Sequence, residues 1–266
     1  MARPIRLAVH LHPQLADYRS IRTAAVTAEE MGADIIYNWD HFYPLYDNDG
    51  KQSSDLPDGK HFECWTMLAS WAEATERVEL GALVSCYSYR NPHLLADMAR
   101  TVDHISDGRL ILGVGSGWFQ RDYDEYGFPF GTAGGRLRDF EAGLYKISRR
   151  LKNLDPLPTR DIPILIGGGG EKVTLRITAK YADIWHGFGD AETIQRKNDI
   201  LDEWCAQIGR EPAEIERSAG VEPAELDNAD ALVEAGATQL TIRFSGPSYD
   251  LAPVKEWIAW RDAKNS

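Results

Sequence analysis

A few short stretches of this chain carry side chains able to do chemistry. They are His10-Leu11-His12, Asp40-His41, Gly113-Val114-Gly115-Ser116-Gly117-Trp118, Gly167 to Gly170 running into Glu171-Lys172, and the single residues His186 and Arg243. Four consecutive glycines between an apolar run and a helical segment are the most physical of these signals. A glycine backbone can approach a phosphate closely, and free N–H groups at a helix start favour an anion. Lys172 and Thr174 add donors in the first turn. The plainer alternative is a tight turn that needs positive φ, yet four glycines exceed what a turn requires. Gly113 to Gly117 is not a dinucleotide fingerprint, which needs GxGxxG after a first strand and an acid about 20 residues on. It reads either as a tight strand exit or as room for a flat ring. Asp40-His41 reads as an imidazole whose basicity Asp40 raises, or as an Asp capping the next loop beside a solvated His. Of His10 and His12, at least one is expected to point away from the other. A metal-dependent hydrolase would build on such an HxH pair. It would also want a Lys, a His and an Asp at later strand ends, where Gly113–Gly117, Gly167–Gly170 and Arg243 stand instead. No metal site is therefore expected. GxSxG is absent, no Cys has a nearby His in a nucleophile motif, and Asp40 is the one acid at a strand end. Such a set suggests that a bound organic cofactor carries the chemistry.

These residues recur because the chain alternates short apolar runs with longer amphipathic segments. The expected strand–helix pairs are Ile5–Leu11 with Tyr18–Met31, Asp34–Trp39 with Phe62–Thr75, Val78–Val84 with Pro92–Ile105, and Leu110–Val114 with Gly135–Leu151. Then come Pro163–Ile166 with Lys172–Tyr181, Ile184–His186 with Thr193–Ile208, Ile215–Val221 with Ala229–Ala235, and Thr238–Phe244 with Leu251–Ala263. Eight such units predict one α/β domain over residues 1–266, a closed (β/α)8 TIM barrel rather than a doubly wound sheet. A barrel gathers its chemistry at the C-terminal ends of its strands, where the polar groups above fall. The long irregular stretch His41–His61 would lie on that face, as a functional lid or a disordered loop.

Composition narrows the partners. The 266 residues hold 29 Lys and Arg against 41 Asp and Glu, a net charge of −12 that disfavours nucleic acid and anionic membranes. Cys64, Cys86 and Cys205 are sparse and unpaired in sequence, as in a reducing compartment. The first residues are too polar for a signal peptide, and no run reaches the roughly 18 apolar residues of a membrane span. A cytoplasmic protein acting on a small molecule is expected.

The run LGALVSCYSYRNPHLLADMARTVDHISDGRLILGVGSGWFQRDYDEYGFPF resembles the luciferase-like monooxygenase superfamily, in its branch of deazaflavin (coenzyme F420)-dependent oxidoreductases. WDHF after the second strand and PILIGGGGEKVTLRITAKYAD around the fifth match the same family. The three blocks cover about half the chain in the family's order. The resemblance implies a luciferase-like TIM barrel binding F420, or FMN, at the C-terminal mouth. It implies a non-proline cis peptide at Leu83–Val84, forming a bulge behind the ring. Residues implied at the cofactor are His10, Asp40 and His41, then Leu83, Val84 and Ser85, then Gly115, Ser116, Gly117 and Trp118. The phosphate loop would be Gly168, Gly169 and Gly170 with Glu171 and Lys172. His41, with Asp40, is the first choice for proton donor or acceptor, followed by His10, His12 and His186. Trp39, Trp118, Tyr43 and Tyr87 read either as walls for an apolar or aromatic substrate or as core residues.

Two departures matter. Members acting on sugar phosphates have a glutamate where Trp118 stands, which argues against that substrate class. The segment Lys152–Asp161 is shorter than is common in the family, which suggests a more open pocket. The resemblance implies hydride transfer between C5 of F420 and a small organic substrate, in a homodimer. An FMN-dependent monooxygenase of the same fold is the alternative, distinguished by its use of oxygen. A flavin-binding barrel without turnover is a third reading.

Overall fold

The structure is a computed structural model that describes residues 3–46 and 59–266. Its elements run β1 (Arg6–Leu11), α1 (Tyr18–Met31), β2 (Ile35–Asn38), α2 (Cys64–Ala74), β3 (Glu79–Ala82), β4 (Ser85–Cys86), α3 (Pro92–Ile105), β5 (Leu110–Gly115), α4 (Gln120–Tyr126) and α5 (Ala133–Leu151). They continue with β6 (Ile164–Gly167), α6 (Thr174–Tyr181), β7 (Ile184–Gly187), α7 (Ala191–Ile208), β8 (Glu216–Val221), α8 (Ala229–Glu234), β9 (Gln239–Phe244) and α9 (Val254–Asn265). All strand pairs are parallel, in the order β3-β2-β1-β9-β8-β7-β6-β5. The ring closes where Leu80 and Gly81 of β3 meet Leu110 and Ile111 of β5. The expected (β/α)8 barrel is therefore the observed fold.

Local chemistry sets many of the helix starts. Glu63, Asn91, Thr132 and Asp190 each accept a hydrogen bond from a backbone N–H in the first turn of α2, α3, α5 and α7. Leu7, Val9 and Leu11 of β1 face the helices and join the larger core with Ile21, Trp71 and Trp257. Ala8, Ile35, Tyr37, Ile111, Leu165 and Ile184 face inward and form a second, smaller core within the barrel. Alternation along each strand divides the two. At the N-terminal end the Arg6 guanidinium donates to both oxygens of Glu216, at 2.9 and 2.5 Å, and pairs with Glu79. Arg160 donates to the other oxygen of Glu79 at 2.6 Å.

Three expectations need correction. The third strand is not continuous over Val78–Val84: the Leu83–Val84 peptide is cis, and pairing resumes as β4 against Val114 and Gly115. The helix expected from Lys172 begins at Thr174, which leaves Glu171 and Lys172 in the preceding turn. The segment Lys152–Asp161 precedes β6 and holds Arg160 against the starts of β3 and β5, so it lies at the end opposite the mouth. Its length therefore does not set the openness of the pocket. Of the expected loop His41–His61, residues 47–58 lie outside the described residues; Gln14 and His61 bridge beside them.

The seam between β3 and β5 leaves no space at Gly113, where a Cβ would sit 1.8 Å from the Ala82 carbonyl oxygen. Gly113→Ala is expected to cost about 3 kcal/mol, as overpacking against backbone does. Gly134→Ala, in the first turn of α5 with nothing within 4 Å, is expected to leave the melting temperature unchanged or slightly raised. Equal melting temperatures for the two variants would show that the seam can open.

Candidate active site

The C-terminal strand ends surround a cavity of about 460 Å³. On one side His41 stands just past β2, with its Nδ1 2.7 Å from Oδ2 of Asp122. Asp122 is fully buried in α4 and also accepts from the Tyr89 hydroxyl at 2.8 Å and from the Phe42 amide at 3.2 Å. Three donors hold this carboxylate, so it fixes the imidazole by Nδ1 and leaves Nε2 as the ring nitrogen for the cavity.

Asp40 does not play that part. Its carboxylate takes a two-pronged grip from Arg90, with Nη2 at 3.1 Å from Oδ1, and a hydrogen bond from Ser85 at 3.1 Å. The Trp65 indole donates to Ser85 at 2.7 Å, and Arg90 also reaches Glu63 at 2.5 Å. Burial pushes the Asp40 carboxyl up, while Arg90 and Ser85 pull it back. The expected Asp40–His41 pair is thus two separate pairs. Adjacent residues of an extended chain point to opposite sides, so each side chain finds its own partner.

The floor is made of imidazoles. His10 and His12 both line the cavity with their rings 4.9 Å apart, against the expectation that they diverge. Residues two apart on a strand share a face, which is the physical reason. His12 Nδ1 lies 2.8 Å from the Ser245 hydroxyl, and its ring stacks on Trp39 at 4.1 Å. His186 lines the cavity from the end of β7, with Nδ1 2.9 Å from the Ser218 hydroxyl. Burial, with the Arg243 guanidinium as the lesser cause, pushes His12 and His186 down to about 3. Burial and the same neighbours push His10 well below the usual range. All three rings are neutral at pH 7. Both ring nitrogens of His10, Nε2 of His186 and Nε of Arg243 are buried without a hydrogen-bond partner. These four open atoms gather at one cavity floor, where another molecule would find bonding left to complete.

The glycines serve two purposes. A Cβ at Gly115 would lie 2.7 Å from a methyl of Val84, so this glycine admits the side chain that follows the cis bond. Gly117 has φ +79°, and a Cβ there would lie 1.9 Å from the Tyr123 hydroxyl. The GxGxG run is thus shaped first by protein atoms around it, although Gly115, Ser116 and Gly117 all line the cavity. The second glycine run turns at Gly168 with φ +128°. Gly168 lines the cavity, whereas Gly169, Gly170, Glu171 and Lys172 stand outside its wall at the start of α6. Glu171 is held by Arg196 and by Lys197 at 2.7 Å, and Lys197 also donates to the Gly169 carbonyl at 2.6 Å.

Of the expected aromatic walls, Trp39 and Trp118 line the cavity, with Trp118 54% exposed at the rim. Tyr87 instead packs on Gly143 of α5, and Tyr43 lies under the Arg121 guanidinium at 4.1 Å. Leu83 and Val84 line the cavity, and Ser85 works behind Asp40. Sequence reasoning did not reach Asp122, Tyr89, Tyr46 or Phe188. Asp122 follows Trp118 by four residues in the polar segment Gln120–Tyr126, whose lack of an apolar stripe hid the helix. Among the described residues no group of three metal-ligating side chains occurs.

The buried imidazoles make stability depend on pH. His61, whose Nε2 accepts from the Trp39 indole at 3.0 Å, is pushed down to about 4 by burial, with His41 as the next cause. A His held below its unfolded value of about 6.5 contributes stability that is complete above that value and lost as pH falls toward the folded value. At pH 5.5 each such ring is expected to cost about 1.4 kcal/mol relative to pH 7.5. Urea unfolding at the two pH values measures the loss. His61→Gln keeps an acceptor for Trp39 and should reduce the loss by one ring's share; an unaltered loss would mean that His61 is protonated in the folded protein.

The profile of the luciferase-like monooxygenase family matches residues 1–251. An F420-dependent glucose-6-phosphate dehydrogenase of Rhodococcus erythropolis is 29% identical over 257 residues, covering 88% of this chain and 73% of that protein. An F420-dependent secondary alcohol dehydrogenase solved with an F420–acetone adduct superposes with a TM-score of 0.81 at 14% identity, over 95% of this chain and 97% of the other. A long-chain alkane monooxygenase superposes with a TM-score of 0.78 at 13% identity, over 97% and 90%. At these identities the two structures speak for the barrel alone. The match to the family profile along nearly the whole chain decides the family: this chain belongs to the luciferase-like monooxygenases.

Proposed function

We propose that the chain is a coenzyme F420-dependent oxidoreductase acting on a small, uncharged organic substrate. The observation that carries this reading is the set of open, buried nitrogens on the cavity floor, in a site with few other acid–base groups. A heterocycle edged with carbonyl oxygens and ring nitrogens answers those nitrogens, and relatives named for F420 point to a deazaflavin. Bound there, F420 supplies hydride transfer at C5.

The chain's own residues would do the rest. His10 and Arg243 would hold the polar edge of the ring, with Leu83, Val84, Gly115, Ser116 and Gly117 as its bed. Gly169 and Gly170 would turn backbone N–H groups to the phosphate, since the Gly168 N–H is taken by the His186 carbonyl at 3.2 Å. Two cations on the single carboxylate of Glu171, with exposed Lys172 beside them, leave this loop positively charged. Asp40 is engaged by Arg90 and Ser85, which ties β2 to β4 and α2 at the edge of the ring's bed. His41, oriented by Asp122, gives a proton to or takes one from substrate oxygen at Nε2. His12, Trp39, Tyr46, Trp118 and Phe188 surround the substrate with rings. Arg243 is already paired with Glu222. An uncharged substrate suits these walls better than a phosphorylated one.

Fluorescence titration with F420, and separately with FMN, tests the cofactor. Tight F420 binding with weak FMN binding is expected; preference for FMN, or binding of neither, would overturn the reading. His41→Ala should retain F420 affinity and lose turnover by about 100-fold or more. Asp122→Asn should lose about 10- to 100-fold with F420 affinity within about threefold, because the ring stays and its orientation is released. Turnover like the wild type in His41→Ala would remove that residue from the chemistry.

A further inference from the structure

Beneath the cavity floor the barrel holds a closed polar cluster. Nε2 of Gln239 lies 3.0 Å from the Ser218 hydroxyl, 3.2 Å from Thr241 Oγ1 and 3.3 Å from the Tyr37 hydroxyl. Ser218 Oγ lies 3.1 Å from Thr241 Oγ1 and 2.9 Å from Nδ1 of His186. All five residues are buried. Their protons can be assigned by counting.

The Gln239 amide points its NH2 at three oxygens and leaves only its carbonyl open. Turned over, it would strand two N–H donors; as placed, it leaves its carbonyl and the Tyr37 hydroxyl proton without a partner, and a stranded buried N–H is the rarer and costlier of these. The amide nitrogen accepts nothing, so the Thr241 hydroxyl has one place for its proton, Ser218 Oγ. Ser218 then receives from both Thr241 and Gln239, which fills its lone pairs. Its own proton goes to Nδ1 of His186. The His186 ring is neutral, because burial and Arg243 hold it at about 3. Its proton therefore sits on Nε2, which has no partner and is shielded from solvent, with the Phe188 ring 4.8 Å away.

We propose that Gln239, Thr241 and Ser218 hold His186 as its Nε2–H tautomer, so that the ring presents a hydrogen-bond donor to a carbonyl or ring-nitrogen acceptor of the heterocycle bound in the cavity. Ser218 is the positioning residue, and His186 is a cofactor-contacting donor. The role rests on the F420 reading above, whereas the tautomer does not. The same wiring shows why the second buried imidazole of the floor differs from the first. His10 has no side-chain partner on either nitrogen, so no network of this kind fixes its tautomer.

Long-range proton–nitrogen correlation spectra of the 15N-labelled full chain, without cofactor, read the tautomer directly. The His186 signals are identified by their loss in His186→Gln. A protonated-type Nε2 with a pyridine-type Nδ1 is expected, and Ser218→Ala should convert this to a mixture of tautomers. A pyridine-type Nε2 in the wild type would overturn the proposal. On titration with F420 the Nε2 signal should move. His186→Leu should weaken F420 binding about tenfold, the effect of one hydrogen bond. His186→Gln, which places an amide N–H near the same point, should restore most of the affinity. F420 binding by the wild type with an unmoved Nε2 signal and unchanged affinity in His186→Leu would overturn the donor role alone. Failure of the wild type to bind F420 would overturn the cofactor reading and the donor role together, with the tautomer spectrum reported separately.

Discussion

Closing eight parallel strands on one another forces alternate side chains into a narrow interior, and the site depends on how that interior is filled. On the β2, β5 and β6 side it is filled by Ile35, Ile111 and Leu165. On the β1, β8 and β9 side it is filled by Arg6, Glu216, Ser218, Gln239 and Thr241. Polar groups within a barrel must satisfy one another, because water does not reach them. At the N-terminal end the Arg6 ion cluster does most of this, and in the middle the Gln239 amide N–H groups do, with the Gln239 carbonyl left over. The bonding stops at the cavity floor, where nitrogens of His10, His186 and Arg243 are left open. Four of the described buried polar atoms left without a partner gather at this one floor, while the others are scattered through the protein.

The side wall follows a different logic. The Asp122 carboxylate is satisfied by His41, Tyr89 and the Phe42 amide, drawing together segments after β2, after β4 and after β5. Asp40 does the same with Arg90, Ser85 and, through Arg90, Glu63. Two buried carboxylates thus staple the loops of the mouth. One sets the orientation of the His41 imidazole at the cavity wall. The other is spent on structure, although the two positions nearest in sequence, Asp40 and His41, invited the opposite assignment.

Most of the architecture was legible in the residues. The apolar runs and their helical partners lie where the strands and helices lie, because each buried face imposes its period. Asn91 caps α3 as Asn-Pro foretells, with its side chain accepting from the His93 amide. The glycine-rich stretches fall at strand ends on the mouth. What remained illegible depends on contacts between distant segments. Asp122 lies 81 positions from His41, and nothing in Gln120–Tyr126 advertises a buried acid. The break in the third strand leaves no mark in Leu83-Val84-Ser85 and was reached through the family resemblance. The loss of Tyr87 to α5 follows from Gly143, which admits the ring. The expected divergence of His10 and His12 failed on geometry that a two-residue period already contains.

The glycines after β5 bear on what a signature of this kind encodes. Gly113 yields to the Ala82 carbonyl, Gly115 to Val84 and Gly117 to the Tyr123 hydroxyl. Each is demanded by the polypeptide around it, before any ligand arrives. A barrel of this lineage that had lost its chemistry would still need all three to close. The pattern GxGxG is therefore a record of ancestry and assembly, and a search keyed to it will gather working and silent descendants alike. The open nitrogens of the floor are under no such obligation, since an empty barrel would fill or bury them with apolar side chains. Between two distant descendants, it is the floor that would tell whether a ring is still expected there.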